Sequence, residues 1–146
     1  MNTGLSIETP FELNISSLEL PTEYSSMIKE MSVYNYVSDP ISINLTYAIY
    51  SDKIVPNLEG AANGAINSLR LAKGVEDFTS NISDIYFKEI KGRMILGKFK
   101  IQKQAAEYKG VIFMHESKTW QILCTYLAND ENRVAVDRIL NSVTIV

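Results

Sequence analysis

The chain is poor in the residues that most often build catalytic and metal sites. Its 146 residues include one cysteine, Cys124, and one histidine, His115. A single cysteine excludes an internal disulfide framework, and these counts also exclude a metal site built from several cysteines or a histidine pair. The spacing Gly60-x-x-x-Gly64 is not followed by the lysine and hydroxyl residue of a phosphate-binding loop. We therefore expect no metal and no cofactor.

Long apolar runs and a strong net charge are missing as well. No apolar run reaches the roughly 18 residues that a membrane span needs. The net charge of −3 provides no overall attraction for nucleic acid or anionic lipid. The first residues form neither a basic nor an apolar signal segment, so we expect no signal peptide within this chain. A cytoplasmic protein and an extracytoplasmic protein that has lost its leader both fit that pattern.

What the chain does contain indicates a soluble globular protein. Its length and its hydrophobic fraction of 46% are typical of one domain, and we assign residues 1–146 to it. The sequence leaves the oligomeric state open.

Apolar and polar residues alternate in several segments, which predicts β-strands. The clearest strand is Ile41–Tyr50, with Val33–Val37 as its hairpin partner and Ser6–Asn14 as an edge strand. Thr22 is expected to cap a short helical turn through Met31. Four further strands are expected, the last of them central in the sheet because both its faces are apolar: Ile82–Ile90, Arg93–Gln104, Glu107–Glu116 and Thr119–Leu127.

Two segments have helical periodicity instead. Pro56–Lys73 is predicted to be a helix that ends with Gly74 at its C′ position and docks closely on the sheet through Gly60 and Gly64. Asp130 is expected to cap a second helix, followed by a short strand over Ser142–Val146. The order of elements predicts an α+β fold, with about six to seven mainly antiparallel strands between two packing helices in an α/β/α-type sandwich.

Several segments resemble the PsbP-like superfamily, which includes DcrB-type bacterial proteins and Mog-type nuclear import factors. The strongest similarity is at the end of the chain, where Trp120–Tyr126 is followed by a helix and by Ile139–Ile145. Ile7–Phe11, Leu20–Tyr24 and the helix that ends in Leu71–Gly74 are similar to earlier elements of the family. The resemblance implies a single PsbP-like domain of bacterial type that acts as an accessory or binding module and has no catalytic signature.

Basic residues are concentrated in one part of the chain. Residues 1–60 contain eight acids and two bases, whereas residues 61–146 contain nine acids and twelve bases. Lys98 and Lys100 are expected to project from one face of a strand, opposite Phe99. They are candidates for docking an acidic partner or an anionic ligand, with protection of a sheet edge as the alternative. Between Lys88 and Lys109 the only aromatic residues are Tyr108 and Phe99, which is expected to point inward, so a nucleic-acid partner is not expected.

Tyrosines form the second candidate surface. Tyr34, Tyr36 and Tyr50 lie in the acidic part of the chain. Tyrosines often anchor interfaces, because they bury a large area while keeping a polar tip. The alternative is that they form a packing layer under the central helix.

Three functional hypotheses follow. The first is a non-catalytic binding or accessory domain that contacts an unidentified protein through one of these two surfaces. The second is a chaperone for an exported or effector protein, which requires an exposed apolar groove. The third is a small thiol enzyme that uses Cys124 and His115, although a core cysteine and a surface histidine would give the same sequence.

Overall fold

The computed structural model describes residues 4–9, 13–16, 28–36, 41–52, 55 and 57–145. Within them the elements follow the order β1 (Leu5–Ser6), β2 (Asn14–Ser16), β3 (Ile28–Tyr36), β4 (Ile41–Tyr50), α1 (Leu58–Arg70), β5 (Val75–Phe87), β6 (Ile90–Ile101), β7 (Gln104–His115), β8 (Lys118–Leu127), α2 (Asp130–Asn141) and β9 (Thr144–Ile145). No helix in this part of the chain is both long enough and apolar enough to cross a bilayer.

The main sheet of the described residues is antiparallel and has seven strands in the order β2-β3-β4-β8-β7-β6-β5. The predicted central position of Thr119–Leu127 is confirmed, because β8 is the fourth strand of the seven. Trp120, Ile122 and Cys124 on this strand are at most 3% exposed. The short strands β1 and β9 form a separate antiparallel pair.

The two helices cover opposite faces of the sheet. Ala62 and Ile66 of α1 pack with Ile95, Phe99 and other residues of one face. The other face buries a larger cluster that includes α2 residues Val136, Ile139 and Leu140. The predicted α+β fold, with two helices packed on a mainly antiparallel sheet, is therefore confirmed.

The N-terminal part departs from the prediction in two places. The single edge strand over Ser6–Asn14 is wrong, because Leu5–Ser6 pairs with β9 and Asn14–Ser16 joins the main sheet. The helical turn through Met31 is wrong from residue 28 onward, where β3 pairs with β4 along almost its whole length. Thr22, Pro10 and the segment Leu20–Tyr24 lie outside the described residues.

Asparagines cap both helices. The Asn57 side chain accepts a hydrogen bond from the Gly60 N–H at 3.0 Å, and the Asn129 side chain accepts one from the Asn132 N–H at 2.8 Å. Asp130 was the predicted cap of α2, but it is the first helical residue, where its charge favourably meets the helix dipole.

The ends and contacts of α1 also differ from the prediction. Gly74 has a φ of +86° and lies three residues beyond the C-cap Leu71, so it shapes the turn into β5 instead of occupying C′. Gly60 and Gly64 are exposed, and a Cβ added at Gly64 would have no neighbour within 4 Å. Close docking through these glycines is therefore wrong, and Ala62, which is 0% exposed, makes the buried contact with the sheet.

Candidate functional site

Lys98 and Lys100 project from β6, which lies between β5 and β7 and is therefore an inner strand. The alternative that they protect a sheet edge is wrong for this reason. Phe99 packs into the α1 cluster, so both lysines lie on the face that α2 covers in part. Their side chains are exposed, and Lys100 Nζ lies 3.6 Å from Asp77 Oδ2 on β5.

Lys98 lines a cavity of about 390 Å³ between the sheet and α2, which we call the charged groove. Its described lining residues are Leu96, Lys98, Glu107, Lys109, Tyr126, Arg133 and Asp137. Three of them are basic and two are acidic. Lys98 lies directly opposite Glu107 in the β6–β7 register, but among the described residues it forms no ion pair within 4.0 Å.

Glu107 is the buried centre of the charged groove and is only 5% exposed. Arg133 Nε donates to its two carboxylate oxygens at 3.1 and 3.0 Å, and Arg133 Nη2 donates to Oε2 at 2.8 Å. The Tyr126 hydroxyl donates to the same carboxylate. The hydrogen bonds from Arg133 lower the pKa of Glu107, whereas burial and the neighbouring Glu107 charge raise the pKa of Tyr126.

A second ion pair joins Lys109 of β7 to Asp137 of α2 at 2.5 Å. Together with Glu107–Arg133 it ties α2 to the sheet at two points. Sequence reasoning did not single out this network. One signal was present, since Glu107 is the only acid in the strand Gln104–His115.

The three candidate tyrosines do not share a surface. Tyr34 and Tyr36 lie opposite Leu45 and Ile43 in the β3–β4 register, on the face that α2 covers. Tyr50 projects from the other face, beside α1. A single tyrosine-bearing surface is therefore wrong, and Tyr34 packs against the core cluster on the α2 side, not under α1.

Tyr50 lines a second cavity, of about 370 Å³, which we call the helix–sheet groove. Its described lining residues carry no charge: Ile28, Met31, Thr46, Ala48, Tyr50, Ala61, Gly64, Ala65, Ser68, Thr119 and Gln121. The groove exists because α1 packs over β5, β6 and β7, so that small residues of α1 border the β4–β8 part of the sheet. The Thr119 hydroxyl is buried there and has no hydrogen-bond partner among the described residues.

Cys124 and His115 are far apart. Cys124 lies opposite Lys109, and His115 is six residues further along β7, which separates them by about 20 Å. Burial raises the pKa of the Cys124 thiol to about 12, and the residue is 0% exposed. The proposed nucleophile–base pair is therefore wrong. Elsewhere in the described residues, no group of three histidine, cysteine or acidic side chains is arranged to hold a metal ion.

Comparison with known proteins identifies the fold but no sequence family. No family model and no curated protein matches the chain. The solved structure of LpqN, a protein involved in cell envelope biogenesis of Mycobacterium tuberculosis, superposes with a TM-score of 0.60 at 13% identity over 97% of this chain and 83% of that one. The cyanobacterial PsbP (CyanoP) of Synechocystis sp. PCC 6803 superposes with a TM-score of 0.64 at 6% identity, over 99% of this chain and 88% of that one. The chain thus has a PsbP-like fold, and its assignment to the DcrB-type proteins stays a prediction.

Proposed function

We propose that residues 1–146 form one PsbP-like domain that is a non-catalytic accessory module and binds an acidic segment of a partner protein. The binding surface consists of Lys98, Lys100, Lys109 and Arg133, and we call it the basic surface. One observation carries the proposal: Lys98 is exposed at a groove on an inner strand, without an ion pair among the described residues. The separation of Cys124 from His115 supports a non-catalytic role.

The spacing of the lysines suits an extended acidic segment. Lys98 and Lys100 occupy alternate positions of one strand, so their side chains start about 7 Å apart on the same face. Carboxylates at alternate positions of an extended peptide have the same spacing. The exposed Lys100–Asp77 pair stabilises the fold by less than about 1 kcal/mol, so Lys100 can exchange Asp77 for a partner carboxylate at little cost.

Charge reversal tests the basic surface. We expect Lys98→Glu/Lys100→Glu to bind a fluorescein-labelled peptide of alternating glutamate and serine at least about tenfold more weakly than the wild type, since two attractive contacts become repulsive. Fluorescence anisotropy at low and high salt measures the affinity, and binding to the wild type should weaken with salt. Capture from native lysate with the wild type and with this variant then identifies the natural partner.

The matched control is Lys73→Glu/Lys118→Glu, which changes the net charge equally at exposed lysines outside the basic surface. It should bind the peptide as the wild type does. Equal losses in both variants, or no binding by the wild type, would contradict the proposal.

The helix–sheet groove favours a second candidate function, a chaperone that holds an apolar segment of an exported or effector protein. Such a role needs an uncharged, partly apolar cavity, and Met31, Ala48, Tyr50 and Ala61 provide one. The buried hydroxyl of Thr119 offers a polar contact within it.

A lysine placed in the helix–sheet groove tests this second function. We expect the neutral dye N-phenyl-1-naphthylamine to fluoresce more strongly with the wild-type protein and to bind Gly64→Lys several-fold more weakly, because a charge then lines a cavity that is otherwise uncharged and partly apolar. Gly60→Lys is the control, since Gly60 is on the same helix but does not line the groove. Similar dye binding by both variants would argue against a chaperone role.

A further inference from the structure

The longest free edge in the described part of the molecule is β5. This strand has thirteen residues, Val75–Phe87, and is the outermost of the seven strands, with β6 on one side and no described strand on the other. The opposite edge of the sheet, Asn14–Ser16, has only three residues. An unpaired strand edge exposes backbone N–H and C=O groups that can pair with another chain.

Natural proteins block such edges with lysine, proline or bulges, and β5 has few of these devices. It contains neither lysine nor proline. Its one irregularity lies between Glu76 and Thr79, where Asp77 has a φ of +52°. The nine residues Thr79–Phe87 pair with β6 in continuous register, so about 30 Å of regular edge remains.

Two of the three acidic residues of β5, Asp77 and Asp84, pair with bases of β6, and the third, Glu76, lies outside the regular part of the edge. Asp84 forms an ion pair with Arg93 of β6. Asp77 Oδ2 lies 3.6 Å from Nζ of Lys100, which is also on β6. Charge repulsion therefore protects the regular part of the edge only weakly.

The edge is also complementary to itself. If two copies pair antiparallel about Ile82, Ser80 of one faces Asp84 of the other, and Tyr86 of one lies beside Phe78 of the other, the residue directly before the regular part of the edge. No two like charges are then directly opposed, and an aromatic pair forms at each end of the interface between the two β5 strands. Tyr86 is 64% exposed in the single chain, an unusual exposure for so large a side chain. The interface between the two β5 strands would bury it.

We propose that the protein forms a dimer by antiparallel pairing of β5 with β5 of a second copy, which joins the two sheets into one. This inference goes beyond binding at the basic surface and does not depend on it. The partner is a second copy because the neutralised edge selects neither a basic nor an acidic peptide, whereas its own sequence fits it in antiparallel register.

Sedimentation of the full chain tests the dimer. We expect the wild type to shift from 16.4 kDa to twice that mass as its concentration rises to about 200 μM. Asn81→Lys/Ser83→Lys places two exposed lysines on one face of β5 and should weaken the dimer at least tenfold. The lysines of the two copies then lie opposite each other across the interface and repel. Asn63→Lys/Asn67→Lys, on the exposed side of α1, is the matched control and should dimerise as the wild type does.

Hydrogen exchange of the wild type gives a second measurement that needs no variant. The amides of Thr79–Phe87 should exchange more slowly as concentration rises, while the exposed turns of the sheet show no change. A wild type that stays at 16.4 kDa throughout would overturn the proposal. So would a dimer that survives in Asn81→Lys/Ser83→Lys, or one that forms without slower exchange in β5.

Discussion

The Glu107→Ala variant is expected to have a free energy of unfolding about 3 kcal/mol lower than that of the wild-type protein. Glu107 is 5% exposed and accepts hydrogen bonds from Arg133 and from the Tyr126 hydroxyl. Alanine removes this acceptor, so the buried Tyr126 hydroxyl loses its partner and α2 loses one of its two ionic links to the sheet. Urea unfolding followed by the fluorescence of Trp120 measures the difference.

The exposure of Arg133 limits the size of this effect. The Arg133 side chain is 44% exposed, so water can solvate the guanidinium once its partner is gone. This limits the loss to the lower end of the range for broken buried ion pairs. Asp137→Ala, which removes the acid of the more exposed pair with Lys109, is the control and should cost less than about 1 kcal/mol. Equal losses in the two variants would show that Glu107 is not the buried anchor of α2.

The pH dependence of stability should report the same carboxylate. The pKa of Glu107 in the folded protein lies below its ordinary value of 4.5, mainly because Arg133 donates hydrogen bonds to the charged form. A lowered folded-state pKa means that the stabilisation is complete above about pH 4.5 and is lost as the pH falls through the folded-state value. The stability difference between the wild type and Glu107→Gln should therefore be constant near neutrality and shrink in acid. A difference that stays constant into strong acid would contradict this assignment.

Much of the sheet could be predicted because side chains in a strand alternate between two faces. Ile41, Ile43 and Leu45 are at alternate positions and so lie on one face of the strand, and each is at most 5% exposed. Strand β8 is apolar on both faces, and this pattern correctly predicts its position at the centre of the sheet. This information is local, so a single sequence contains it.

The order of the strands could not be predicted in the same way. The lysine pattern gave the correct face for Lys98 and Lys100, but a role at an edge depends on which strands lie beside β6. The chain crosses from β4 through α1 to the far end of the sheet, and β8 later pairs with β4. As a result β5 becomes the edge and β6 an inner strand, which no local pattern reveals.

The candidate sites were hard to predict for a related reason. The sheet faces on which Tyr34 and Tyr50 lie follow from the register between β3 and β4. The sequence indicates which residues of one strand share a face, but not which face of the neighbouring strand they join. The Glu107–Arg133 pair joins residues 26 positions apart. It forms because α2 docks with Arg133 over β7, and the docking direction of a helix depends on packing that the periodicity of the helix does not contain.

Replacing Gly110 with alanine is expected to reduce the free energy of unfolding by at least about 3 kcal/mol, or to prevent folding. A Cβ at this position would lie 2.3 Å from Leu123 Cδ2 and 2.7 Å from the backbone oxygen of Ile122. The Leu123 side chain can turn away, but the backbone oxygen belongs to the central strand β8, which the core holds in place. The added methyl therefore forces β7 and β8 apart, and circular dichroism with urea unfolding measures the loss.

The same substitution at Gly64 should have the opposite sign. No atom lies within 4 Å of a Cβ added there, and Gly64 is in the interior of α1, where alanine is favoured over glycine by about 0.5–1 kcal/mol. Both variants add one methyl group. Comparing Gly110→Ala with Gly64→Ala therefore separates the cost of a close backbone contact from the intrinsic preference of a helix for alanine over glycine. The sequence suggested close approach at Gly60 and Gly64, whereas the structure has it at Gly110 and at Gly92, each of which lies beside the backbone oxygen of a neighbouring strand. If Gly110→Ala proves as stable as Gly64→Ala, then β7 and β8 are less tightly packed at this point than their buried neighbours Val111 and Ile122 require.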